Sequence, residues 1–116
     1  MAKRKSVLIR VDASEVQGEG AFLSLRKYTW DERKALRDKM AAIPTEDIKV
    51  YVRQMTDLLE EEIRARLVEW NFVDSNDQPI PLGDIGTLID GESNFVFGKM
   101  QELIKQALGT DEAAKN

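Results

Sequence analysis

The chain has no cysteine and no histidine in 116 residues. Without cysteine there is no disulfide framework, no thiolate nucleophile and no thiolate metal ligand. Without histidine the usual neutral-pH general base is missing, and with it the Ser-His and Cys-His nucleophile systems and almost every zinc constellation. Only carboxylates, lysines and hydroxyls are left for catalysis. Positive charge is also short, with 17 basic against 21 acidic residues and a net charge of −4, so no general field draws the protein onto a polyanion and no nucleic-acid partner is expected. Apolar runs last a few residues, far below the roughly 20 that span a bilayer. Lys3-Arg4-Lys5 has the look of a signal-peptide n-region, but Val7-Leu8-Ile9 is interrupted at once by Arg10 and Asp12, so the protein is expected to stay where it is made, without a membrane partner.

What is present suits a folded domain. Hydrophobic residues make up 42% and charged residues 33%, which favours a globular protein with a heavily solvated exterior over a disordered chain. A chain of this size buries roughly two-thirds of its unfolded surface, enough for a core.

Two strands open the sequence. Ser6 to Asp12 is β-branched and apolar with charges at Arg10 and Asp12, and Ala21-Phe22-Leu23-Ser24-Leu25-Arg26-Lys27 alternates apolar and polar residues. The intervening Gly18 and Gly20 supply positive-φ positions for a longer hairpin loop. A lone hairpin is marginal in water, so helices are expected to pack on it. Thr29-Trp30-Asp31-Glu32 fits a capping box and starts a helix that runs to about Ala42, with Ala35, Leu36, Met40 and Ile43 as its apolar stripe and Ile43-Pro44 as its stop. Thr45-Glu46-Asp47 restarts a helix in which Ile48, Val52, Met55, Leu58, Leu59, Ile63, Leu67 and Trp70 recur at spacings of three and four. That helix is expected to last to Trp70. Asp74-Ser75-Asn76-Asp77 is turn chemistry, Pro79 and Pro81 enforce an extended path, and a short turn is expected around Asp84–Leu88. A last helix from about Ser93 to Leu108 uses Phe95, Val96, Met100, Leu103, Ile104 and Ala107, and Gly109 caps it. The reading is an α+β fold, an N-terminal β-hairpin packed against three to four helices, with one domain over residues 1–109 and a flexible tail over 110–116.

Four patterns resemble chemistry and fall short of it. Gly18-Glu19-Gly20 begins a dinucleotide fingerprint, but Leu23 holds the place of the third glycine and a strand follows. Asp74, Asn76 and Gln78 imitate the first ligands of a calcium loop, yet Pro79 stands where the sharp-turn glycine belongs and Ile85 where the closing carboxylate belongs. Glu60-Glu61-Glu62 with Asp57 is a solvated helix face, because consecutive helical residues point apart. Lys3-Arg4-Lys5 is too short, and too far from aromatics, for a nucleic-acid arm. No catalytic, cofactor-binding or metal-ligating residue is expected, and the protein is not expected to be an enzyme.

The aromatics and prolines are the positive signal. Trp30 and Trp70 sit at helix ends, where capping the core is the commoner role for an aromatic and an interface the rarer one. Phe72 lies beside the prolines in a connection expected to be exposed, which makes it the better interface candidate. The candidate interaction residues are Trp30, Trp70, Phe72, Val73, Pro79, Ile80, Pro81 and Leu82.

Together these stretches resemble the tail assembly chaperones of bacteriophages with long, non-contractile tails. The resemblance is carried by the strand end Leu25-Arg26-Lys27, by Tyr28-Thr29-Trp30-Asp31-Glu32-Arg33, and above all by Trp70-Asn71-Phe72-Val73-Asp74 followed by Gln78-Pro79-Ile80-Pro81-Leu82. It covers roughly residues 21–104. One departure is the turn Ser75-Asn76-Asp77-Gln78, which lacks the glycine common in similar sequences; Asn76 or Asp77 can occupy a left-handed conformation, so the turn is expected to survive. The resemblance implies an assembly factor in the host cell cytoplasm, absent from the mature virion, that binds the helical tape measure protein and helps recruit tail tube subunits. Self-association is compatible with that role. It also implies production in two lengths by ribosomal frameshifting, and Ala114-Lys115-Asn116 can be encoded with the slippery run A AAA AAC. The alternative is a structural tail or head-tail completion protein retained in the virion.

Overall fold

The computed structural model describes residues 6–109; the basic arm Lys3-Arg4-Lys5 and the expected tail 110–116 lie outside the described residues. The fold is α+β. In chain order the elements are β1 (Leu8–Asp12), α1 (Ser14–Gln17), β2 (Phe22–Arg26), α2 (Trp30–Ala41), α3 (Ile48–Arg66), β3 (Leu67–Trp70), a 3-10 turn (Ile85–Thr87) and α4 (Asp90–Leu108). The contacts of the described residues gather into two compact units, one of residues 6–27 with Arg66–Phe95, the other of Tyr28–Ala65 with residues 96–109.

The first unit is built on an antiparallel sheet of order β1-β2-β3. Leu8 pairs with Arg26 and Asp12 with Phe22, the hairpin expected from the alternation. Its loop takes Gly18 at φ 98° and Gly20 at φ 85°, conformations that favour glycine, and also winds one short helical turn, α1, that the sequence pattern does not announce. Asp12 Oδ1 accepts the Ser14 N–H at 2.9 Å, a bond that holds the Asp12 carboxyl below its ordinary pKa.

β3 corrects the sequence reading. Leu67–Trp70 is not the end of the long helix but a third strand, pairing Leu23 with Trp70, Ser24 with Glu69 and Leu25 with Leu67. The register shifts between Ser24 and Leu25, so β3 carries an extra residue at the bulge. Leu67 and Trp70 therefore reach the same face of the sheet although they are three apart, a spacing that imitates a helical i, i+3 pair. β2 is the central strand, with Leu23, Ser24 and Leu25 all buried. Buried Ser24 keeps its hydroxyl satisfied by donating to Glu69 Oε1 at 3.2 Å across the pair.

The second unit is helical. The Thr29 capping box is present: Glu32 N–H donates to Thr29 Oγ1 at 3.2 Å and Thr29 N–H to Glu32 Oε1 at 3.0 Å. α3 starts where Asp47 Oδ1 accepts the Lys49 N–H at 2.9 Å, an N-cap arrangement. The buried apolar residues are Leu36 of α2, Leu58 and Ile63 of α3, and Val96, Met100, Leu103 and Ile104 of α4, each contributing about 1.5–3 kcal/mol by burial. Glu62 departs from the solvated face expected of Glu60-Glu61-Glu62: it is buried, its carboxylate accepts the Tyr28 hydroxyl at 2.6 Å, and Lys39 Nζ lies 3.7 Å from it and 2.8 Å from Glu61. The Glu61 hydrogen bond raises the Lys39 pKa. The first turns of α4, up to Phe95, belong to the first unit; the helix begins at Asp90 rather than Ser93 because Glu92 Oε1 accepts the Ile89 N–H at 3.1 Å, half of a capping box without a hydroxyl. It ends, as expected, at Gly109, φ 62°, whose N–H donates to Lys105 O at 3.0 Å. Among the described residues no helix is long and apolar enough to cross a membrane.

Candidate interaction surface

Within the first unit, the chain after β3 folds back on itself as a narrow arm. Ile80 N–H donates to Phe72 O at 2.9 Å, Asp74 N–H to Gln78 O at 2.9 Å, and Val73 and Pro79 form an isolated antiparallel bridge. The tip is a tight turn in which Asp74 Oδ1 accepts from the N–H groups of Asn76 at 2.8 Å and Gln78 at 3.0 Å. Asp77 sits at φ 57°, the left-handed conformation that the missing glycine requires. Pro79 has no N–H to satisfy on the arm's outer edge, where a proline is tolerated.

Two side-chain amides tie the arm to the β1–β2 loop by imitating backbone pairing. Asn71 Oδ1 accepts the Phe22 N–H at 2.9 Å while its Nδ2 donates to Gly20 O at 3.0 Å. Gln17 Oε1 accepts the Val73 N–H at 2.9 Å while its Nε2 donates to Val73 O at 3.1 Å and also to the buried Glu92 carboxylate. The aromatics brace the arm from behind. Trp70 and Phe72 stack with centroids 4.7 Å apart and planes within 4°, and Trp70 Nε1 donates to Ile80 O at 2.8 Å. Ile80 thus has both main-chain groups bonded.

The expected interaction residues separate into support and surface. Pro79, Pro81 and Leu82 are exposed, and Trp70 and Val73 are half-buried. Phe72 is a correction: it is 1% exposed, because its ring fills the space behind the arm against Trp70, and so is unable to face a partner in this conformation. Ile80 is likewise buried, since its side chain follows the inward side of the same pairing. Trp30 belongs to the second unit and is 71% exposed, touched by the Arg33 guanidinium 4.6 Å above its ring, so it does not cap a core.

A cleft of about 330 Å³ opens beside the arm, lined by Val16, Gln17, Val73, Ile80, Thr87 and Ile89. Ile89 is 70% exposed at its edge. Gln17 and Ile89 carry no motif, and Asn71 enters the sequence reading only as part of the Trp70–Asp74 stretch, with no role of its own; the faint signals are a β-branched apolar residue just before the α4 acids and amides placed next to turn residues. Among the described residues no group of acidic side chains is placed to hold a metal ion. Comparison with protein-family models, curated proteins and solved structures returns no match.

Proposed function

We propose that the chain is a binding protein rather than an enzyme, a tail assembly chaperone of the kind its sequence resembles, acting in the host cell cytoplasm. On this reading it covers apolar stripes of the tape measure protein and hands that protein to the tail tube subunits. The observation that carries the reading is the arm itself. Two amide clamps, an aromatic stack and an Asx turn hold residues 72–80 in one conformation and leave Pro79, Pro81 and Leu82 in solvent, beside a cleft edged by Ile89. A surface fixed before binding loses little conformational entropy when a partner docks. Exposed apolar residues with an aromatic brace suit reversible capture of another apolar surface.

The test is co-expression with a tape measure protein from the same genome, followed by affinity purification. The expected result is a soluble complex that Leu82→Asp weakens while the variant's own melting transition is unchanged. A tape measure protein that stays insoluble and uncaptured would overturn the reading. Stoichiometric presence of the chain in purified virions would instead favour a structural tail component.

A further inference from the structure

A second surface lies on α3, independent of the arm. Ile48, Val52, Met55 and Leu59 follow one another at spacings of four, three and four, so they form one stripe along the helix. Ile48 is 70% and Val52 54% exposed, apolar side chains that a helix of a monomer ordinarily turns inward. Further along, Met55 and Leu59 join Met40, Leu58, Ile104 and Leu108 around an apolar groove of about 220 Å³. The stripe and the groove are thus continuous over about 16 Å, the length of roughly three helical turns.

Charge identifies what fits there. Lys49 and Arg53, each one residue past a stripe position, edge the shallow depression whose floor is Ile48 and Val52. Neither their ammonium nor their guanidinium group forms an ion pair with another described residue. Lys105 stands at the rim of the groove. These cations border the apolar face of a chain whose net charge is −4. We infer that the Ile48–Leu59 face of α3 docks an amphipathic helix of a partner protein whose apolar stripe is flanked by aspartate or glutamate. The two methionines suit such a role, because their unbranched side chains adapt to different apolar partners. A second copy of this chain fits less well. One heptad on from Lys49 stands the uncharged Thr56, and one heptad on from Arg53 stands Glu60, already paired with Arg64 at 3.3 Å.

The test uses two dye-labelled helical peptides of about 18 residues, identical in a leucine stripe at three- and four-residue spacing. One is flanked by glutamates, the other by lysines. Anisotropy titrations are expected to give the glutamate peptide at least tenfold tighter binding, with amide chemical-shift changes concentrated on residues 48–59. Val52→Asp should abolish binding with an unchanged melting temperature, and the Lys49→Glu/Arg53→Glu pair should reverse the preference. Equal binding of both peptides, binding of neither, or shifts mapped away from α3 would overturn the inference. So would self-association, or adsorption to anionic phosphatidylserine vesicles, that Val52→Asp removes. Because the probe is a peptide and not the tape measure protein, failure here leaves the proposed function to its own co-purification test.

Discussion

Phe72→Ala removes the ring that backs the arm. Phe72 is 1% exposed and stacked on Trp70 at 4.7 Å, so the substitution forfeits both the burial of a whole aromatic side chain and the pair interaction. Large-to-small changes of this kind cost about 3–5 kcal/mol, of which the aromatic pair accounts for roughly 0.5–1.5. The stability of a typical domain is only about 5–15 kcal/mol, so a chain that starts at the low end keeps only about 0–2 kcal/mol. In urea titrations followed by Trp fluorescence, with a slope of about 1–3 kcal/mol/M, a loss of ~4 kcal/mol moves the midpoint down by roughly 1–4 M. Phe72→Leu keeps most of the volume and should fall between, at about 1–1.5 kcal/mol. A midpoint for Phe72→Ala within about 0.3 M of the parent, at an unchanged slope, would refute the bracing role of the ring.

Gln17→Ala leaves the Val73 N–H and C=O without their clamp; it should cost about 1–3 kcal/mol by urea titration and speed amide exchange at Val73 relative to β2. Asp77 at φ 57° should accept glycine with a change within about 0.5 kcal/mol, whereas Asp77→Val should cost more than about 1 kcal/mol, as a thermal melt of each variant will show. Trp30→Ala, at a residue 71% exposed, should shift stability by less than about 0.5 kcal/mol by the same melt. The Asp12 pKa is lowered in the folded chain, so its contribution to stability is present above the ordinary aspartate pKa and is lost as pH falls through the lowered one; Asp12→Asn should flatten the acid limb of a stability-against-pH curve and leave the neutral limb unchanged.

Local chemistry was the legible part of the fold. The capping box at Thr29, the positive-φ glycines of the hairpin loop, the left-handed residue in the Ser75–Gln78 turn and the Gly109 cap each follow from a few adjacent residues. β3 was hidden because its bulge places Leu67 and Trp70 on one face at helical spacing, and only pairing with β2, more than 40 residues away, settles the conformation. The burial of Phe72 is hidden in the sequence for a related reason. Its neighbours are turn and proline residues, which suggest exposure, but its burial comes from the return of the arm at Ile80 and from the Trp70 ring. The clamping roles of Gln17 and Asn71 are invisible in the sequence, since an amide that imitates a strand looks like any other polar residue until its partner 56 or 49 positions away is known.

The claim that the braced arm is a binding surface is tested most directly by hydrogen exchange on the chain with and without the tape measure protein. Amides of residues 80–89 are expected to exchange at least tenfold more slowly in the complex, while those of β1 keep their free-state rates. Formation of the complex with no slowing anywhere in residues 80–89 would contradict that claim.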